Sequence, residues 1–413
     1  MKYLAKIAAL IFVIGCQLGH ATEQLIPLDD LISDNTLSVA KINQQGNLLI
    51  TAGYTEGRLS ITAFDIENEH LANVFFAKED DWYRLSSIQW IDEDSFVYRT
   101  FRQSQKNTSV SWLVNITVTN QSLSVKTSRI NARGYIIDPL VEENDYVWFA
   151  YYPSKTKPKK LNIYKAHSSA LIRDNFREQQ EYSNRISEAE HYATDASGAI
   201  KFARAFDEDK ITSTYWYLDE NQDWQELYQF DPYEYEFEPI GFLPNGKLAV
   251  ISNLETDVKS LVEFDVKTKT FANILYQHAR YDLESAKLNK TNQRLEAIAY
   301  FDQGEWRTEY FNSEMQELEK RLSNTFADKQ YSFLSSSEDE SIVVLRVFSS
   351  TEKGLYYLWH KNKNQMRFIG EQNSNLVKYT FQPTTTLDIT SKSGHKIETY
   401  FTRPPHTVQI MYY

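Results

Sequence analysis

The chain has 413 residues, and its 44 lysine and arginine residues against 56 aspartate and glutamate residues give a formal charge of −12. This acidic balance disfavours nucleic acid as a partner and favours solubility. Cys16 is the only cysteine, so an internal disulfide is excluded, and a chain of this length can stabilise a large core without one.

Residues 1–21 have the pattern of a secretory signal peptide, in which a basic start precedes an apolar run at 7–14 and small residues follow. The run is shorter than the roughly 20 residues of a transmembrane helix. Residues 13–16 (VIGC) also resemble a bacterial lipoprotein box, in which Cys16 would be acylated and tether the protein to a membrane. We favour simple cleavage, because Ile14 is bulky for a lipobox. The sequence predicts export to a bacterial periplasm, with a membrane-anchored lipoprotein as the alternative.

A unit of strand, polar turn and strand recurs seven times over 36–372, after a lead-in segment at 22–35. The first landmark of each unit is a polar turn that leads into an apolar strand, at Gly46, Ser95, Asp145, Gly198, Gly246, Gln293 and Glu340. These landmarks are 47 to 53 residues apart. A second turn between two strands follows each of them by 19 to 21 residues, at Asp65, Asn115, Lys165, Asp219, Asp265, Asn312 and His360.

A repeat of this length that holds four short antiparallel strands is typical of a β-propeller blade. The sequence therefore predicts an all-β fold, a seven-bladed β-propeller of four-stranded blades, whose closure into a ring removes exposed sheet edges. An irregular all-β chain of sandwiches is the alternative. One segment breaks the pattern: residues 312–326 indicate a short helix or a long turn, with Leu318 and Leu322 on one face.

After about residue 372 the blade pattern ends, and residues 387–404 alternate apolar and polar side chains around a turn at Ser393 and Gly394. This β-hairpin resembles the junction in the prolyl oligopeptidase family of serine peptidases, where a propeller leads into an α/β-hydrolase domain. Residues 400–404 (YFTRP) match the closing strand of that junction. Residues 26–40 resemble the lead-in to blade one of this family, which includes dipeptidyl and acylaminoacyl peptidases, and residues 332–359 are similar to the last propeller blade of its bacterial members.

The resemblance implies that a hydrolase domain with a Gly-x-Ser-x-Gly nucleophile turn, an aspartate and a histidine should follow. Instead the sequence stops at Tyr413, and residues 405–413 do not continue the family pattern. We therefore interpret 387–413 as the start of a truncated hydrolase domain, produced by truncated or out-of-frame coding sequence.

No catalytic, cofactor-binding or metal-binding residue is predicted within the chain. The segment closest to a nucleophile turn, at 53–57 (GYTEG), has a threonine at its centre and no helical pattern after it, so it indicates an ordinary turn. The histidines lie singly, without the spacing of a metal site or a general base, at His70, His167, His191, His278, His360, His395 and His406.

One acidic segment attracts attention, because Glu234, Glu236 and Glu238 alternate with aromatic residues. If the segment is a strand, the three carboxylates share one face. The family resemblance implies a functional interpretation, since its dipeptidyl peptidases use propeller glutamates to hold the amino terminus of a substrate. A solvated acidic face without a ligand is the alternative, and we favour it.

Two hypotheses about function follow. In the first, the chain is the non-catalytic propeller portion of an exported prolyl-oligopeptidase-family peptidase, which controls substrate access in the full enzyme and is inactive alone. Peptide substrates would then be its partners. In the second, it is a free-standing periplasmic propeller that binds a protein or a peptide. Neither requires a cofactor.

Overall fold

The computed structural model describes residues 26–79, 82–102, 108–140, 143–153, 161–195, 197–289, 292–302 and 304–403. The predicted signal peptide with Cys16, and residues 404–413 with His406, lie outside these ranges. A short helix, α1 (Leu28–Leu31), precedes the first sheet. None of the helices in the described ranges is long and apolar enough to cross a membrane.

Seven antiparallel sheets follow one another along the chain, each with its strands in chain order. Blade one contains β1 (Val39–Ile42), β2 (Leu48–Thr55), β3 (Arg58–Asp65) and β4 (Leu71–Phe76). Blade two contains β5 (Tyr83–Trp90), β6 (Ser95–Arg102), β7 (Thr108–Thr119) and β8 (Ser122–Ile130). Blade three contains β9 (Gly134–Asp138), β10 (Tyr146–Tyr151), β11 (Asn162–His167), helix α2 (Ser168–Arg173) and β12 (Gln180–Tyr182).

The remaining four sheets complete the ring. Blade four contains β13 (His191–Thr194), β14 (Ile200–Asp207), β15 (Thr212–Leu218) and β16 (Trp224–Phe230), and blade five contains β17 (Phe237–Phe242), β18 (Leu248–Ser252), β19 (Ser260–Asp265) and β20 (Thr270–Tyr276). Blade six contains β21 (Leu283–Leu288), β22 (Leu295–Asp302), β23 (Glu305–Tyr310) and helix α3 (Ser313–Thr325). Blade seven contains β24 (Gln330–Ser336), β25 (Ile342–Phe348), β26 (Leu355–His360) and β27 (Gln365–Glu371). A hairpin of β28 (Thr384–Thr390) and β29 (Lys396–Thr402) follows the ring.

The predicted seven-bladed β-propeller is therefore confirmed. Six of the seven first landmarks lie in the turn between the first and second strands of their blades, while Ser95 is the first residue of β6. The six turn residues have a positive φ: Gly46, Asp145, Gly198, Gly246, Gln293 and Glu340. Only three of the six are glycines. For the others the left-handed conformation costs roughly 1–2 kcal/mol per residue, which the flanking ladder must offset.

Blade six departs from the prediction, because it has three strands instead of four. The second landmark of this unit is wrong as a hairpin turn, since Asn312 begins helix α3 and its side-chain oxygen accepts a hydrogen bond from the Met315 N–H at 2.8 Å. Of the short helix and the long turn that the sequence allowed at 312–326, the structure has the helix. Its Leu318 and Leu322 are buried against blade seven, where they join a cluster that includes Trp359.

The second landmark is also misplaced in blades two and three. Asn115 lies inside β7, and the turn that was expected there comes after Thr119. Lys165 lies inside β11, and α2 takes the place of the expected tight turn. Blade two has a longer third strand and blade three has an inserted helix. Both blades keep four strands although the turn lies elsewhere in the sequence.

Burial decreases from the middle of each blade to the perimeter. In blade five every residue of β18 is buried, whereas the perimeter strand β4 of blade one contains no buried residue. The second strand of blade five is covered on both faces by neighbouring blades, which explains why β18 (LAVIS) is almost entirely apolar. Buried apolar clusters join blades one to two, two to three, three to four, four to five, five to six and seven to one.

The ring closes between blades seven and one without an exchanged strand, because each of these sheets is built from one continuous stretch of chain. The Ile42 N–H donates a hydrogen bond to Ser335 Oγ at 3.1 Å, and the Glu338 N–H donates to the Gln44 carbonyl at 2.8 Å. The shared apolar cluster contains Leu37, Ala40, Ile42, Leu49, Ile66, Val344, Tyr356 and Leu358. Closure therefore depends on side-chain packing and a few backbone contacts.

Helix α3 gives a test of the packing in blade seven. Leu322→Ala should destabilise the protein by about 3 kcal/mol, because it opens a cavity beside Trp359. The change should appear as a lower urea midpoint in tryptophan fluorescence and far-ultraviolet circular dichroism. The control is Glu317→Ala on the exposed face of the same helix, which should change stability by less than about 0.5 kcal/mol. Equal effects of the two variants would contradict the burial of this helix face.

Candidate functional site

The loops that connect consecutive blades lie on one face of the ring, together with the turns between second and third strands; we call this the mouth face. The first strand of each blade is innermost and lines the central channel, as the contacts of β1 with β24, β9 with β13 and β17 with β21 indicate. Side chains at the beginnings of these strands therefore surround the channel opening on the mouth face.

A group of charged side chains lies on the mouth face at blades five and six. Lys259 Nζ lies 3.3 Å from a Glu236 carboxylate oxygen and 3.5 Å from one of Glu284, and its backbone N–H donates to Asp282 at 2.8 Å. Glu238 follows at the start of β17. Two carboxylates contact the ammonium group and two more lie in the same group of residues, so this part of the channel opening carries more negative than positive charge.

The electrostatics of the group follow from its crowding. Partial burial, and then the neighbouring Glu236 carboxylate, raise the pKa of Glu238 above its usual value. Partial burial alone would lower the pKa of Lys259, but Glu236 and Glu284 outweigh it and hold that pKa above its usual value. Lys259 is therefore a permanent cation that neutralises part of the carboxylate charge. The arrangement is suited to attract a positively charged group to the channel opening.

The predicted alternating strand at 233–238 is wrong in its first part. The chain makes a turn after Asp231, and β17 begins only at Phe237. Tyr233 is 80% exposed while Phe237 is 1% exposed, so the aromatic side chains do not share a face. Glu236 is paired with Lys259 and Glu234 points into solvent. Of the three glutamates, only Glu236 and Glu238 belong to the charged group.

The hairpin β28–β29 docks on the mouth face next to this group, through the side chains of one of its faces. The Arg280 guanidinium donates to both Asp388 carboxylate oxygens, at 3.0 and 2.5 Å. The Tyr281 hydroxyl donates to Glu398 at 2.6 Å. The arginine lowers the pKa of Asp388 below its usual value, so this carboxylate stays charged at neutral pH.

Gly304, in the turn between β22 and β23, allows this approach. It has φ +78°, and a Cβ atom at this position would lie 2.4 Å from a ring carbon of Tyr400. Any other residue would be strained at this backbone angle and would displace the tyrosine ring. The absence of a side chain at Gly304 therefore allows Tyr400 of the hairpin to pack directly against blade six.

The opposite face of the hairpin is apolar and uncovered. The register pairs Ile389 with Ile397 and Leu387 with Thr399, so these side chains lie on one face together with Phe401. Leu387, Ile389, Ile397 and Phe401 are each 43–50% exposed. A two-stranded hairpin with such a face is marginally stable by itself in water. The face is a surface that another element is expected to cover.

Of the six histidines in the described ranges, His395 lies beside the turn of the hairpin and the other five are distributed over the ring. His167 caps α2 by accepting the Ser169 N–H at 3.1 Å, and His278 accepts the Arg280 and Tyr281 N–H groups and stacks on Tyr300. Partial burial and then Lys363 lower the pKa of His360. No three histidine, aspartate or glutamate side chains among the described residues are arranged to hold a metal ion.

The segment at 53–57 is the end of β2 and its turn, as predicted. Gly53 packs so closely on the lead-in segment that a Cβ atom would lie 1.9 Å from the Thr36 carbonyl oxygen. Gly53 therefore allows two backbone segments to pack closely and is not part of a nucleophile turn. Sequence reasoning missed Lys259, Asp282 and Arg280, because they lie 20 residues or more from the glutamates and the hairpin that they contact.

Comparisons with known proteins give the same fold. Over 89% of its length the chain is similar to a structure from a study of two prolyl endopeptidases, with a TM-score of 0.53 and 10% sequence identity over 54% of that chain. A puromycin-hydrolysing peptidase of Mycobacterium tuberculosis gives a TM-score of 0.50 and 12% identity, over 89% of this chain and 57% of that one.

The chain thus spans little more than half the length of the structures that it resembles. Neither a protein-family model nor a curated protein sequence matches it. At such low identity the likeness establishes the fold and nothing about activity. The chain is a seven-bladed propeller of the kind found in these peptidases.

Arg280 gives a test of hairpin docking. Arg280→Ala should leave the melting temperature of the ring unchanged, because the arginine is exposed and contributes no core contact. It should increase the hydrogen exchange and the protease sensitivity of 384–402, because both bonds to Asp388 are lost. Arg58→Ala, which removes the exposed pair with Glu56 on the same face, is the control and should leave 384–402 protected. A hairpin that exchanges at the same rate in both variants would contradict docking through Asp388.

Proposed function

We propose that this chain is the propeller portion of an exported peptidase of the prolyl oligopeptidase family, and that the ring restricts substrate access to a hydrolase domain. The observation that carries the proposal is the hairpin β28–β29. It lies at the place in the sequence where the family resemblance predicts the entry into the hydrolase sheet, and it is fixed to the mouth face by Arg280 and Tyr281. Its uncovered apolar face is what the first strands of a larger domain would present.

The geometry of the mouth face supports a role in access. A domain seated on the hairpin would lie beside the channel opening and beside the group of carboxylates around Lys259. A peptide that reached it through the ring would pass this negatively charged rim. The rim would favour peptides that carry a free amino terminus or basic side chains, because opposite charges raise the local concentration of a substrate.

The chain alone should be catalytically inactive. Among the described residues no serine hydroxyl donates a hydrogen bond to a histidine ring, and no turn has the Gly-x-Ser-x-Gly sequence. We therefore expect that a fluorophosphonate probe does not label purified protein 22–413, while a serine hydrolase in the same reaction is labelled. Labelling that a single serine substitution abolishes would overturn this expectation.

The nucleotide sequence beyond codon 403 separates the peptidase proposal from its alternative. Under the proposal, one of the reading frames there encodes an α/β-hydrolase domain with a nucleophile turn. The alternative is a free-standing periplasmic propeller that binds a protein or peptide, and it requires no such frame. If all frames lack a hydrolase sequence, the peptidase proposal is wrong and the binding protein replaces it.

Export is a further part of the proposal, with two outcomes to distinguish. We expect the mature protein in the periplasmic fraction of a bacterial host, with an amino terminus at residue 22. In the lipoprotein alternative, labelled palmitate would be incorporated and the protein would sediment with membranes, and Cys16→Ser would abolish both. A control substitution, Gln17→Ser, should change neither. Retention of the uncleaved chain in the cytoplasm would contradict both alternatives.

A further inference from the structure

The interface between blades six and seven differs from the other six interfaces of the ring. Among the described residues, no buried apolar cluster joins the strands of blade six to those of blade seven, and the cluster in this region joins blade seven to α3 instead. A cavity of about 940 Å³ lies between the two sheets and is bounded on the outside by α3. We call this cavity the crevice. Small residues on its blade-six wall, including Ala297 and Ala299, leave the space open.

The backbone of β23 forms one wall of the crevice, and its outward groups lack a partner strand. The Phe311 N–H donates to the Glu296 carbonyl at 2.8 Å, which fixes the phase of the β22–β23 ladder. In an antiparallel pair the bonded residues alternate, so Trp306, Thr308 and Tyr310 direct their N–H and carbonyl groups away from β22.

Blade seven shows which strand pairing blade six lacks. There the Lys361 N–H donates to the Ser341 carbonyl in the same phase. The outward residues of the third strand, Tyr356, Leu358 and His360, then pair with the fourth strand, β27. In the part of blade six that the structure describes, no fourth strand provides these bonds.

Side chains provide hydrogen-bond partners for only some of the outward backbone groups of β23. Gln330 accepts from the Trp306 N–H at 3.3 Å, and Gln316 donates to the Tyr310 carbonyl at 2.6 Å. The N–H and carbonyl of Thr308 have no partner in the parts of the chain that the structure describes. The perimeter strands of the other blades also have a free edge, but β23 is only the third strand of its blade, and its residues line the crevice.

The basic and acidic side chains that line the crevice differ in whether they form ion pairs. Each basic side chain on its walls has an acidic partner: Lys287 with Glu296, Arg307 with Glu305, Lys329 with Glu352 and Lys361 with Glu340. The carboxylates of Glu319 and Asp328, which also line the crevice, have no ion pair among the described residues. Burial, and then Glu309, raise the pKa of Glu319, which is consistent with a carboxylate that lacks a cation. The crevice therefore complements a positively charged ligand.

We propose that the crevice binds an extended peptide segment with basic side chains, which adds to β23 as the fourth strand of blade six. The backbone of Thr308 and its neighbours supplies the ladder, in the manner of other strand-addition sites. Tyr310 and Phe333, whose rings are 6.5 Å apart across the crevice, provide an aromatic wall for alternate side chains, and Glu319 receives a basic one. The proposal concerns the propeller alone and does not depend on a hydrolase domain.

Binding can be measured on purified protein 22–413 by fluorescence anisotropy with a fluorescein-labelled peptide, Thr-Lys-Val-Lys-Thr-Lys-Val-Lys. We expect saturable binding that protects the amides of 305–310 from hydrogen exchange. The same peptide with glutamate in place of lysine should bind at least about tenfold more weakly, because its charges repel Glu319 and Asp328. A peptide that is N-methylated at alternate residues should also lose about tenfold, because it cannot complete the ladder.

Two variants with matched controls locate the site. Thr308→Pro removes the free N–H of an edge strand, where proline is tolerated, and should weaken binding about tenfold, while Thr308→Val should not. Glu319→Gln should reduce the preference for the lysine peptide, while Glu317→Gln on the exposed side of α3 should not. Unchanged melting temperatures show that the variants fold.

Three outcomes would overturn the proposal. Equal binding by wild type and Thr308→Pro would exclude strand addition at β23. Equal binding of the lysine and glutamate peptides would exclude charge recognition. Binding that appears only after removal of residues 404–413 would identify the chain's own terminal segment as the occupant.

Discussion

The fold depends on the burial of each blade against the next. A single four-stranded blade has two large faces, and neither can be covered by the blade itself. Apolar clusters cover them at six interfaces, and the closure between blades seven and one is of the same kind as the others, without a shared strand. Because a ring has no free end, the geometry of every interface is constrained by all the others. The interface between blades six and seven can remain open only because the remaining six hold the two blades in place.

Blade six shows how the chain compensates for a missing strand. Helix α3 takes over the apolar contacts that a fourth strand would make with blade seven, through Leu318 and Leu322. A helix covers side chains but cannot complete a β ladder, so the packing is restored while the backbone of β23 is left without its partner. The same blade carries Gly304, which fits the hairpin β28–β29 against the ring. Blade six therefore contacts the hairpin at the mouth face and, among the described residues, leaves the outer edge of β23 without a partner strand.

Much of the architecture was readable from the sequence, because the turn before each second strand has strict local requirements. The landmark residues lie in this turn in six blades and at the start of the second strand in blade two. The spacing of Leu318 and Leu322 indicated a short helix or a long turn at 312–326, and the structure has the helix. The later turns were less predictable, since β7 is longer than its counterparts and α2 replaces a tight turn. The site could be predicted only in part. Glu236 and Glu238 were visible as a pattern, whereas Lys259 and Asp282 join them only through the folding of separate strands.

The absence of an exchanged strand also bears on the connectivity of the chain. Every blade is continuous in sequence, and the segments before blade one and after blade seven meet at Thr36 and Ser374, whose hydroxyl groups lie 2.9 Å apart. The order of the blades around the ring is thus independent of where the polypeptide starts. A circularly permuted chain that joined these segments and opened the loop at 231–236 would contain all seven sheets intact. Such a chain would show whether closure of the ring depends on the positions of the termini.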